Sequence, residues 1–180
     1  MIERYYRVQG LDRLTHLWQR WEAWFADIEE SHTSLAALIH FRSPIPRRHW
    51  VTAAGAVLDG AALAASTLDQ PRDPQADLCL RAGYLALRAI ADLLNFRYAP
   101  NPKPTDAISI ARAEFDAAYD RLAEQGVPLK SNRDQCWLDF AGWRVNYDDV
   151  LLGLADVTMA PPAPWSSDRS QGKARQLRRG

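Results

Sequence analysis

The run from Trp50 to Leu68 constrains this chain most: it is apolar on every side except for one carboxylate, Asp59, near its middle. A membrane helix of similar length would carry Asp59 at its centre, at roughly 2.5 to 3.5 kcal/mol, and alanines with Gly55 and Gly60 offer little to offset that. The run therefore reads as the central helix of a folded core, buried all round by other helices. Those helices must come from the rest of the 180 residues, a length that closes one sizeable core.

Periodicity supplies them. Leu14, Leu17, Trp18, Trp21, Trp24, Phe25 and Ile28 recur at steps of three and four, forming one stripe of an amphipathic helix opposite Arg13, Gln19, Arg20 and Glu22. Thr33 or Ser34 can cap an extension or a second short helix, and Pro44 and Pro46 end it. Beyond Pro71 and Pro74 a further helix runs from Gln75 to Phe96, closing before the proline cluster 100–104. Thr105 is the expected N-cap of the next, with Ile108, Phe115, Tyr119 and Leu122 on its apolar face and Gly126 and Pro128 as its stop. One last helix is expected from about Asn132 to Met159, with Trp137, Phe140, the Arg144 stem, Tyr147, Leu151 and Leu154 along one side. No stretch alternates with period two, and no repeat of fixed period appears. The expectation is an all-α, single-domain bundle of about five or six helices. Residues 1–10 are a lead-in, 11–160 the helical domain, and 161–180 a Pro/Trp run with a basic flexible tail.

Charge excludes some partners. Lys plus Arg equals Asp plus Glu at 22 each, so no overall field draws nucleic acid to the chain. The tail is locally basic, with five cations against Asp168 alone, and is expected to stay solvated, a weak contact with acidic lipid being the alternative. Cys79 and Cys136 lack metal or redox spacing, so reduced core thiols are expected.

The chemistry-bearing candidates are few. Glu29 and His32 share a helix face at i and i+3, but a di-metal bundle needs a second Glu-x-x-His and none is present, so no metal or cofactor is expected. No serine sits in a Gly-x-Ser-x-Gly elbow, and the chain is read as non-enzymatic. Asp59, Arg81, Arg88 and Asp92 fall where burial is expected and must be paired, with Arg42 as a further partner. Such a network either fixes helix register or forms a pocket for an anionic ligand. Trp165, behind Pro164, is expected to fold back as an apolar clasp, docking on a neighbouring protein being the alternative.

The sequence Glu30-Ser31-His32-Thr33-Ser34, then Leu38, Phe41-Arg42-Ser43, and Trp50 followed nine residues later by Asp59, resembles the C-terminal region of bacterial two-transmembrane, potassium-channel-like membrane proteins. The likeness covers most of residues 14 to 165. It implies a cytoplasmic regulatory or assembly domain at the inner face of the membrane, partnered by a channel pore domain or by its own copies. It also implies a polar network or ligand site at Glu30, His32, Arg42 and Asp59, to which Arg88 is added although the family pattern has a histidine at that place. A small-ligand or metal-binding bundle is the alternative, and an orphan enzyme ranks last.

Overall fold

A computed structural model describes residues 1–41, 43, 45 and 48–179 of the chain. Its described residues form eight α-helices, more than the five or six expected: α1 (Ile2–Arg7), α2 (Leu14–Ser34), α3 (Trp50–Thr67), α4 (Pro74–Leu93), α5 (Arg112–Glu124), α6 (Arg133–Arg144), α7 (Asp148–Val157) and α8 (Lys173–Arg179). Short 3-10 turns cover Leu11–Arg13, Ala36–His40 and Ser167–Arg169. Among the described residues, β-pairing is limited to one isolated bridge between Leu68 and Leu129.

The bundle is built around α3, as its unbroken apolar surface requires. It packs on α4, α6 and α7, while α2 lies along α4 and α8 along α7. Thirteen of its eighteen residues are buried, Asp59 among them. The approach of α2, α3 and α4 is set by Gly83, where an added Cβ would lie 2.5 Å from Leu58 and 2.8 Å from Phe25. No real side chain fits at such distances, so the large Phe25 ring fills the space a smaller neighbour leaves.

Each helix begins and ends for a local reason. His49 Nδ1 accepts from the Val51 N–H at the start of α3, and Asp73 accepts from the Gln75 N–H, with Pro74 in the first turn of α4. Asn132 caps α6 through the Gln135 N–H. The Lys130 ammonium donates to the Ala65 and Ser66 carbonyls at the C-terminal end of α3. Gly126 closes α5 at φ +79°, a left-handed conformation that glycine adopts without strain. Thr105 does not cap that helix; α5 starts seven residues later, after the Ala111 N–H has bonded to Glu114 Oε2 at 2.9 Å.

Three expectations about organisation are corrected. The lead-in contains α1, whose Ile2 is buried and whose Glu3 pairs with Arg121 of α5 at 2.6 Å. The single helix expected over 132–159 is broken between Arg144 and Asp148. The segment beyond Pro161 is folded: Ala174 and Leu177 of α8 are buried, and Arg97 donates its N–H to the Leu177 carbonyl. The charge run suggested a solvated tail because its apolar residues are only two, but they sit three apart on one face of α8.

Candidate polar centre

The broken helix places the most concentrated polar chemistry in the molecule. After Arg144 the backbone tightens, with Asn146 and Tyr147 N–H groups bonding carbonyls three residues back. The Asn146 amide donates to the Gly142 and Trp143 carbonyls, competing with the helix for them. A side chain from another helix stabilises the break: Arg88 of α4 donates from Nε to the Asn146 carbonyl and from its terminal nitrogen to the Pro100 carbonyl, each at 2.9 Å. Its guanidinium also lies 5.0 Å from the Tyr84 ring centre and 5.6 Å from that of Tyr98.

Inside the break sits Arg144, a fully buried arginine. Each side of its guanidinium is used. Nε donates to Asp148 at 2.7 Å, one terminal nitrogen to Asp59 at 2.6 Å, and the other to the Trp165 carbonyl at 2.7 Å. The Tyr147 hydroxyl donates to the same Asp59 oxygen at 2.9 Å. Asp148 also accepts from the Ser109 N–H and hydroxyl, both at 2.7 Å. The cluster thus ties α3, the end of α6, the start of α7, the loop before α5 and the segment at Trp165 to one cation.

Burial opposes every charge here. It raises the Asp59 carboxyl above the ordinary range, although Arg144 and the Tyr147 hydroxyl pull the other way. Burial also disfavours the Arg144 cation, but Asp59 and Asp148 outweigh it and hold the guanidinium more firmly charged than in water. Tyr147 is pushed well up, by burial first and then by Asp59. The shifts of Arg144 and Tyr147 carry both groups further from neutrality, whereas an acid or base catalyst titrates near its working pH.

The sequence-derived site residues do not converge. Asp59 is in the centre just described. Arg88 is at its edge, half-buried. His32 is buried at the end of α2, its Nδ1 3.0 Å from the Ser31 hydroxyl and its ring 4.9 Å from that of Trp50, whose indole N–H donates to the Ile39 carbonyl. Burial lowers the His32 pKa. Trp50 opens α3 nine residues before Asp59, about 13.5 Å along the axis, so these are separate sites. Glu30 is exposed, and Arg42 lies outside the described residues. Arg81 and Asp92, expected buried, are exposed, with Asp92 accepting from the Tyr98 hydroxyl at 2.9 Å. Arg144, Tyr147 and Asp148 were the residues missed as a site. Their signal was an arginine on an otherwise aromatic helix face, four residues before an aspartate.

Two clefts adjoin these elements. The larger, of about 550 Å³, lies where the end of α3 and the start of α4 face α6, with Trp143, Leu138 and Ala76 along it and Asp73, Asp139 and Lys130 at its rim. The smaller, of about 230 Å³, is bounded by Tyr98, Asp106, Tyr147 and Asp148. Among the described residues no three His, Cys, Asp or Glu side chains are grouped to hold a metal ion. Both cysteines are buried and unpaired, and burial pushes the Cys79 thiol up to about 12, away from nucleophilic use. Among the described residues no helix is long and apolar enough to cross a membrane. No protein-family model, curated protein or solved structure matches the chain.

Proposed function

We propose that this chain is a non-enzymatic regulatory or assembly module that works with a potassium-channel-like membrane protein at the inner face of the membrane. The observation that carries the non-enzymatic part is the closure of the Arg144 centre. Arg144 and Asp59 line neither cleft, although Tyr147 and Asp148 bound the smaller one; the Arg144 guanidinium is bonded on each side, to Asp148, Asp59 and the Trp165 carbonyl, and one Asp59 oxygen accepts from both Arg144 and Tyr147. A buried cation so enclosed holds helices in register. The channel association is supported by the Glu30-Ser31-His32, Phe41-Arg42-Ser43 and Trp50-to-Asp59 spacings.

One observation favours the second reading, a small-ligand bundle: the cleft of about 550 Å³ is within the ordinary size of ligand pockets. Native mass spectrometry with elemental analysis on the purified chain separates the two. The module reading expects protein free of stoichiometric metal and retained small molecules, and co-purification in detergent with a co-expressed two-transmembrane pore segment. A stoichiometric retained mass, or repeated failure to co-purify, would move the assignment to the ligand bundle.

A further inference from the structure

Among the exposed large apolar residues, Leu78, Leu85 and Leu93 lie along α4, and a second group is close in sequence in a connection. Leu35, Phe41 and Ile45, with 56%, 67% and 48% of their surface open, fall within eleven residues between the end of α2 and the start of α3. His40 and Arg48 are exposed beside them. The charge of this stretch has one sign: from Ser31 to Leu58 there is no Asp or Glu, while Arg42, Arg47, Arg48 and three histidines occur. In a chain that carries as many acids as bases, that is a local basic excess in the same stretch of sequence as the exposed apolar residues.

We infer that this connection docks on an anionic lipid surface, Leu35, Phe41 and Ile45 entering the headgroup layer and Arg48 pairing with lipid phosphate. Apolar residues beside cations are what such an interface recognises, because the side chains leave water while the charges meet an oppositely charged plane. The stretch's uncompensated positive charge is what an anionic plane of lipid phosphates complements. The inference stands on these residues alone and does not depend on the channel reading. A chain that fails to co-purify with a pore segment can still bind vesicles, and the reverse also holds.

The test is co-sedimentation of the full chain with phosphatidylcholine vesicles, with and without about one third phosphatidylserine, at moderate salt. The expected result is binding to the anionic vesicles only. Arg48→Glu should weaken it by more than the roughly five-fold that one surface cation is worth, since it also adds a repelled charge. The double variant Phe41→Ser, Ile45→Ser should weaken it at least as much, with unchanged thermal unfolding because both residues are exposed. Arg175→Ala, Arg178→Ala in α8 serves as the control and should leave binding nearly intact. Equal binding to neutral vesicles, no binding at all, or loss only in the α8 variant would each overturn the inference. So would self-association abolished by the Phe41 and Ile45 changes in a chain indifferent to vesicles, which would assign the surface to a second copy.

Discussion

Arg144 has two carboxylates for one guanidinium, and that imbalance decides how its neighbours respond to substitution. Removing the cation leaves Asp59 and Asp148 buried without it, so Arg144→Met should cost about 3 to 5 kcal/mol. Removing the Asp59 charge is different, because Arg144 keeps Asp148 at 2.7 Å and asparagine can still accept from Arg144 and Tyr147. The sign of the Asp59 shift agrees. A carboxyl with a raised folded-state pKa contributes stability below its unfolded pKa and loses it as pH rises through the folded value, so its ionised form is a burden at neutrality. Asp59→Asn should therefore cost less than half as much as Arg144→Met by urea denaturation at neutral pH. Equal losses would show that Asp59, not Asp148, is the principal partner of the buried cation.

At the scale of elements, the C-terminal segment is held to the bundle by polar contacts at each turn. The Arg169 guanidinium grips Glu114 of α5 at 2.7 and 3.0 Å and donates to the Ser109 carbonyl, Asp156 accepts from the Gly172 and Ala174 N–H groups, and Lys173 pairs with Asp149. The Trp165 ring rests 5.6 Å from Phe140, so it folds back as the sequence reading expected. Hydrogen bonds from Arg169, then the Ala111 N–H, bring the Glu114 carboxyl down to about 2. A lowered carboxyl stabilises the fold above its unfolded value and loses that contribution as pH falls through the folded one. Glu114 should titrate near pH 2 by carbon-detected NMR, and Glu114→Gln should remove part of the acid sensitivity between roughly pH 4.5 and 2. An ordinary midpoint would mean the Arg169 contact is not kept in solution. Long periodic elements such as α2, α3 and α4 were legible because each buries a whole stripe. The α6–α7 break was not, since an unbroken apolar face runs through it and only Asn146 and the pairing of distant Arg88 interrupt the backbone. The polar centre was half legible: Asp59 stands out in an apolar helix, whereas Arg144 looked like a stem on a packing face.

For the molecule as a whole, these contacts close a single core from both ends of the described chain. The side chain of Met1 lies against Gly60 in mid-α3, Arg7 donates to Gln125, and Leu177 of α8 and Phe96 converge on Gly153 of α7. Gly153 leaves no room for a methyl group, with an added Cβ 2.6 Å from Leu177, so α8 is packed as tightly as the central helices. Tryptophans report α2, the start of α3, α6 and the segment at Trp165, while far-UV ellipticity reports every helix, including α1 and α8. If the terminal helices belong to the same cooperative unit as α3, the two signals must lose their amplitude together in guanidinium. Coincident midpoints are expected. They should shift together in Arg144→Met, because its guanidinium joins the Trp165 segment to the central helix. An ellipticity change that precedes the tryptophan transition would show that a terminal helix opens before the core, and its size would report how many helical residues are lost.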